Sequence, residues 1–330
     1  MVVYAFTSNR GGVGKSFLVS QTAAAVAASN LLRTVVVLDL SIQGDASVAL
    51  LGGVHEPLEF STGVSTRGME NISKVPAERT ARGFLEAVAA KQPTKAFWRG
   101  MAPAAPFDWR AHVVSVAEAY PAGGAPPNLY VAPGGASLHG APLDPLALVE
   151  KVRAALPADA VVLVDTDAEL SERPPSLLGL AVADSVCVVA SASWSDVQRL
   201  LSDPVNSLFA ALAHVSQALP GYRGVVSTFV FNNLSKVSKE PYGHLPFTPP
   251  ANTLRTIADI CAFVDNSPLA SRFLAPHSDF FADLVAAVAV VPDGPKLVSL
   301  DTGCALVSAP RTEAEQTAAK VIEALAAHFT

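Results

Sequence analysis

The stretch that decides the fold is Ser8-Asn9-Arg10-Gly11-Gly12-Val13-Gly14-Lys15-Ser16, set between Val2-Val3-Tyr4-Ala5-Phe6 and an alanine-rich stretch from about Lys15 to Ser29. The first run reads as a buried strand and the last as a helix. A glycine-rich turn in that context is what a phosphate-binding loop requires. Glycines let backbone N–H groups turn toward phosphate oxygens, and the helix N-terminus adds a favourable dipole. A lysine at Lys15 neutralises the terminal phosphates, and the Ser16 hydroxyl is a ligand type suited to Mg²⁺.

Working outward, Thr34 to Leu38 is the next strand, and strand–turn–helix–strand is a βαβ unit with parallel strands. Further apolar strands are expected at Leu129 to Val131, Ala160 to Val164, Ser185 to Ala190 and Gly224 to Phe231, with helices between most of them. The expected fold class is α/β: a doubly wound, mostly parallel sheet with helices on both faces. Residues 1–330 are expected to form a single domain, with a less regular Pro/Gly-rich region at about 52–127. Within that region helices are expected near Arg82 to Ala90 and Arg110 to Ala119, joined by proline-rich turns. The loop from Asn232 to Pro250 has no clean periodicity. Ala318, Val321, Ile322, Leu325 and Phe329 recur at helical spacing, so Glu313 to Phe329 reads as an amphipathic terminal helix docked on the core.

Half of the 330 residues are apolar, enough for a sizeable core, and the abundance of alanine suits helices packed closely on a sheet. A formal net charge of −6 argues against a globally basic coat for nucleic acid, while leaving room for a local basic patch. Cys187, Cys261 and Cys304 lie far apart, so neither a disulfide framework nor a zinc or iron–sulfur site is indicated. The longest charge-free apolar run, Leu284 to Val291, falls short of the roughly 20 residues that span a bilayer. With no signal-peptide pattern at the N-terminus, the expected location is cytoplasmic.

The string Ser8 to Ser16 resembles the deviant P-loop of the ParA/MinD family, whose usual form is Lys-Gly-Gly-x-Gly-Lys-Ser/Thr. Val35 to Ser47, with Asp39 and Gln43-Gly44-Asp45-Ala46, is similar to the family's second-strand segment Asp-x-Asp-Pro-Gln-Gly-Asn-Ala. Asn128 to Ala136, the strand Val161 to Asp165 and Ala183 to Val186 also have counterparts, so most of the first 200 residues can be laid on the family. The resemblance implies an ATP–Mg²⁺ site in which Arg10, Gly11, Gly12, Val13, Gly14, Lys15, Ser16 and Phe17 surround the phosphates. It implies that Ser16, Asp39 and Asp165 hold the Mg²⁺ shell, the two aspartates through water, consistent with acids closing strands at the carboxyl edge of a parallel sheet. Asn232 and Asn233 are candidates for the adenine edge, because amides both donate and accept; capping a turn is the alternative reading.

Three departures matter. Arg10 stands where the family has a lysine that reaches the partner's nucleotide; arginine keeps the charge but donates in a planar fork. Ser41 replaces the second aspartate of Asp-x-Asp, which the family uses in hydrolysis, and a hydroxyl is a poor base. Asp45, where the family has Asn, is the candidate substitute, so the catalytic candidates are Arg10, Lys15, Asp39 and Asp45. Asp167-Ala168 replaces the family's Pro-Pro after the strand-end aspartate, which implies a different γ-phosphate switch.

The resemblance implies a homodimer closed around ATP that positions cargo, such as a plasmid, a chromosome or a protein assembly, with slow or partner-stimulated hydrolysis and a ParB-like or other adaptor. The loop begins almost at residue 8, which sets the expectation that no N-terminal DNA-binding domain precedes it. The terminal helix lacks the basic character of a membrane anchor. Nonspecific DNA is the expected surface, with Arg199, Arg223, Lys236, Lys239, Arg255 and Arg272 as candidates and nucleoid association as the consequence; a solvated face is the alternative. A metabolic P-loop enzyme, either a ligase or a small-molecule kinase, and a non-hydrolysing nucleotide switch stay open. Iron–sulfur relatives are disfavoured by the cysteine spacing, and tyrosine kinases by the lack of tyrosine after Tyr242.

Overall fold

The computed structural model describes residues 1–8, 10–52, 67–90, 106–120, 124–139, 144–168, 174–191, 207–222, 224–232 and 250–268, with shorter pieces at 193–195, 198–199, 270–273, 322–323 and 326–327. Seven strands form one sheet: β1 Val2–Thr7, β2 Val35–Asp39, β3 Val114–Ser115, β4 Leu129–Ala132, β5 Val161–Asp165, β6 Ser185–Ser191 and β7 Val225–Asn232, in the spatial order β3-β4-β2-β5-β1-β6-β7. Every pairing is parallel except β3 with β4. The parallel strands are rich in Val, Ala, Leu and Phe because both faces of the sheet are covered.

The helices are α1 Lys15–Ser29, α2 Asp45–Leu50, α3 Arg67–Ser73, α4 Ala81–Ala90, α5 Pro145–Ala155, α6 Pro174–Val182, α7 Leu208–Ala218 and α8 Ala251–Asp265. One core layer joins Phe84, Val149, Leu178, Phe209 and Ile260 to one face of the sheet. The other joins α1 and α2 to the opposite face, with Ile322 and Ala326 among its buried members. Of the expected terminal helix, Glu313 to Phe329, residues 322–323 and 326–327 are helical and the rest lies outside the described residues. Alanines fill α1 because, from Leu18 to Ala27, it is enclosed on all sides and only small side chains allow that approach.

The expected strands all form, within a residue or two at each end. The helix expected over Arg110 to Ala119 does not. Its place is taken by two single 3₁₀ turns, Trp109–His112 and Val116–Ala119, on either side of β3. Val113 enters one core layer while Val114 and Val116 enter the other. Neighbouring side chains thus pack on opposite faces, which a strand permits and a helix does not. Helix α3, absent from the sequence reading, packs Gly68 against Val48 so closely that a Cβ would lie 2.2 Å from the Val48 carbonyl oxygen. The apolar run Leu284 to Val291 lies outside the described residues. No helix among the described residues is long and apolar enough to cross a membrane.

Candidate functional site

The carboxyl ends of β1, β2 and β5 are neighbours in the sheet, and Asp165 stands in register with Phe6 on one side and Asp39 on the other. The glycine loop after β1 therefore opens beside two strand-end aspartates. Gly12 and Gly14 have φ of 77° and 82°, in the left-handed region that glycine alone enters without strain. A Cβ on Gly11 or Gly12 would meet no protein atom within 4 Å. At Gly11 no protein contact demands glycine, so the missing side chain keeps space open above the backbone. Gly14 also caps α1 without any side-chain hydrogen bond, and the first turn of α1 carries no acid. The helix thus presents uncapped N–H donors and the positive end of its dipole to the loop, an arrangement that favours an anion.

Lys15 is buried, and its ammonium is paired with Asp165 Oδ1. Asp165 Oδ2 is also buried and has no hydrogen-bond partner. A buried carboxylate oxygen without a donor is costly unless a cation or water completes it. Ser16 follows Lys15 on the first turn of α1, so hydroxyl and carboxylate oxygen donors of the kind Mg²⁺ takes stand at the foot of the loop. No cluster of three or more His, Cys, Asp or Glu side chains occurs among the described residues, which leaves no cage for a softer metal.

Asp39 is held differently from Asp165. Its Oδ1 accepts from the Ser41 N–H (3.1 Å) and hydroxyl (2.7 Å), and its Oδ2 from the Ser47 N–H (3.0 Å) and hydroxyl (2.6 Å). All four lone-pair directions of this fully buried carboxylate are occupied. Burial, followed by the neighbouring Asp165 charge, pushes its pKa up to about 6, against the lowering effect of the serine donors. In this arrangement Asp39 organises the loop after β2. Ser41 is equally engaged: its hydroxyl donates to Asp39 and accepts from the Gly44 N–H at 3.0 Å, so it is a loop brace.

The loop after β4 completes the brace. The Gly134 N–H donates to Ser47 Oγ (3.1 Å) and the Gly135 N–H to the Ser41 carbonyl (2.9 Å). The sequence reading passed over Ser47 and Gly134. The signal available was the pair Gly134-Gly135 directly after a strand, but only the fold brings it to Asp39.

After β5, the Thr166 hydroxyl donates to the Phe6 carbonyl (3.0 Å), and the Asp167 N–H donates to Ser176 Oγ (2.9 Å). The Asp167 carboxylate accepts from the Ile42 N–H, at 3.3 Å and 3.2 Å for its two oxygens. Asp45 opens α2 and is exposed as a residue, yet partial shielding of its carboxyl from water raises its pKa. The Asp165 charge adds to that shift and Lys15 opposes it, so Asp45 lies within electrostatic reach of both.

Arg10 is exposed on the loop, where its carbonyl accepts from the Ser8 hydroxyl (3.0 Å). Val13 is buried and Phe17 half-buried against the α1 side of the core, so they anchor the loop. Asn232 ends β7 in register with Ser191, on the same carboxyl edge but at the far side of the sheet. Asn233 lies outside the described residues, as do Arg223, Lys236 and Lys239. Arg199, Arg255 and Arg272 are exposed.

No protein-family model matches the chain, and no curated protein matches it either. Solved structures do match in shape. Apo McdA from Cyanothece aligns with a TM-score of 0.56 at 14% identity, covering 98% of this chain and 99% of that one. The pNOB8 ParA bound to nonspecific DNA aligns at 0.54 and 12% identity, over 99% and 97%. Cobyrinic acid a,c-diamide synthase from Mycobacterium smegmatis, with a bound ATP analogue and magnesium, aligns at 0.50 and 17% identity, over 81% and 83%. A MinD and a plasmid partition protein are also among the neighbours. The seven-stranded sheet among the described residues therefore has the fold of the solved ParA/MinD ATPases, carried here by a sequence of low identity to them.

Proposed function

We propose that this chain is a ParA-like ATPase that binds ATP–Mg²⁺, closes into a nucleotide-sandwich dimer and acts as a switch that positions cargo. The observation that carries this reading is the uncapped start of α1 under an open glycine loop, with the Lys15–Asp165 pair and the donorless Asp165 Oδ2 at its foot. Arg10 to Phe17 would wrap the phosphates. Lys15 would exchange Asp165 for the β- and γ-phosphates, releasing a carboxylate. Ser16 and Asp165 would then hold Mg²⁺, whose charge offsets that of the phosphates, and Asp39 would add negative charge from behind while keeping its four donors. Asn232 and Asn233 are the proposed adenine edge, and Asp45 a candidate in hydrolysis.

Similarity to partition and positioning ATPases extends over nearly the whole chain, whereas the similarity to the diamide synthase stops at about four-fifths. That difference favours the positioning switch over an ATP-dependent ligase, the second reading. Nonspecific DNA is the proposed surface, through Arg199, Arg255 and Arg272 together with Arg223, Lys236 and Lys239, and a ParB-like or other adaptor the proposed partner. Residues 1–330 would work as one ATPase domain in the cytoplasm, on the nucleoid when DNA is bound.

Light scattering without nucleotide, with ADP and with ATP–Mg²⁺, paired with phosphate release from the same samples, tests the reading. A dimer formed only with ATP–Mg²⁺, releasing phosphate slowly, is the expected result. A monomer under all three conditions with steady phosphate release would favour the ligase-type reading instead.

A further inference from the structure

A carboxylate serves a cation best when it is held facing one way, and Asp39, in register with Asp165 at the end of β2, is held through both of its oxygens. The donors on the two oxygens are not equivalent. Ser41 lies two residues after Asp39 on the same loop, so it can follow that carboxylate as the loop shifts. Ser47 lies eight residues on, in α2, where Ala46 and Leu50 on either side are fixed in the core layer shared with α1. Its N–H and hydroxyl both donate to Asp39 Oδ2, at 3.0 Å and 2.6 Å.

Ser47 is fully buried, and its hydroxyl is committed on both sides. Its one proton goes to Asp39, and a lone pair accepts from the buried Gly134 N–H at 3.1 Å. Gly134 in turn lies against Asp39, close enough that a Cβ there would meet the Asp39 carbonyl oxygen and Oδ1 at 2.6 Å. The hydroxyl therefore links three segments: the end of β2, α2 and the loop after β4. Without it the Gly134 N–H loses its acceptor and Asp39 Oδ2 keeps a single donor, which releases the carboxylate from the α2 frame.

We propose that Ser47 is a positioning residue of the nucleotide site: it acts through Asp39, fixing that carboxylate beside Asp165 so that its charge bears on the Mg²⁺ bound with ATP. The proposal rests on the ATPase reading above. Asp165, whose Oδ2 has no hydrogen-bond donor, offers an oxygen to the cation's shell, while Asp39, with every lone-pair direction filled, offers a charge of fixed position. A group that orients such a charge from behind the site commonly governs metal affinity by about 10–100-fold.

Calorimetric titration of the full chain with ATP at a series of Mg²⁺ concentrations, with thermal unfolding of the same samples, tests the role. We expect Ser47→Ala to raise the Mg²⁺ concentration needed for half-maximal ATP binding by about 10-fold, and Ser47→Thr, which keeps the hydroxyl, to recover most of that loss. Ser207→Ala removes an equally buried hydroxyl, one that caps α7 by accepting from the Ala210 N–H, and serves as the structural control. It should lower the unfolding temperature and leave the Mg²⁺ requirement unchanged. Should Ser47→Ala fail to fold, Ser47→Cys, which fills the space and donates only weakly, carries the same comparison. A Mg²⁺ requirement in Ser47→Ala equal to that of the unaltered chain overturns the proposal and leaves ATP binding standing. An equal rise in Ser47→Thr or in Ser207→Ala also overturns it, since the hydroxyl at Asp39 would then not be the cause. ATP binding by the unaltered chain that ignores Mg²⁺ removes the role of Ser47 alone. A chain that binds no ATP overturns both readings.

Discussion

At Gly134 an added Cβ would sit 2.6 Å from both the carbonyl oxygen and Oδ1 of Asp39, and 2.7 Å from the Ser41 carbonyl oxygen. None of these atoms is the free end of a flexible chain, so the loops after β2 and β4 would have to part. We expect Gly134→Ala to cost about 1–3 kcal/mol, read as a lower denaturation midpoint at unchanged slope. Asp39 offers a second measurement at this scale. Its pKa in the folded chain, about 6, exceeds the ordinary 3.8, so between those values the folded state holds a proton that the unfolded state has released. Stability from this group is present below about pH 4 and falls as pH rises toward 6, by about 3 kcal/mol at 1.36 kcal/mol per pH unit. Urea unfolding across pH 4 to 6 should show that decline, and Asp39→Asn should flatten it; an equal decline in both would assign it to other groups. Ser41 illustrates what was legible at this scale and what was not. The absence of a carboxylate there is plain in the sequence, but the direction of its hydroxyl, toward Asp39, follows from a turn closed by Gly44 and Gly135.

Among the elements, α1 and α5 start in opposite ways. Helix α5 begins with Asp144, whose carboxylate accepts from the Ala147 N–H at 3.2 Å, and Pro145 occupies the first position, where no N–H is needed. Asp144→Ala should cost about 1 kcal/mol, seen as a melting temperature lower by about 2–4 °C. Helix α1 has no such cap, although it is the longest helix on its side of the described core, because its donors face the glycine loop. The start of α1 was legible in the sequence, from glycine before lysine after a strand; the capped start of α5 was not read there. Nor was the β3 edge. Its valines contribute equally to a helical or a strand pattern over so short a span, and the choice fell to the two core layers they enter.

For the whole molecule, the proposed DNA surface has a measurable signature. If Arg199, Arg255 and Arg272 contact phosphates, binding to nonspecific duplex in the presence of ATP should weaken steeply with salt. Replacing all three by alanine should reduce the slope of log affinity against log salt by about two to three, near one per lost contact. An unchanged slope would place the DNA surface elsewhere or remove it. The sequence by itself determined the doubly wound sheet, the phosphate loop and the helix behind it, because strand period, glycine spacing and helix composition are local properties that tertiary contacts reinforce. Only the tertiary structure decided how the acids divide their roles. Asp39 is far along the chain from Asp165 and from Gly134, and Ile42 from Asp167. Parallel register brings them to one edge, and once there, burial and the supply of hydrogen-bond donors separate a braced carboxylate, Asp39, from a lysine partner, Asp165.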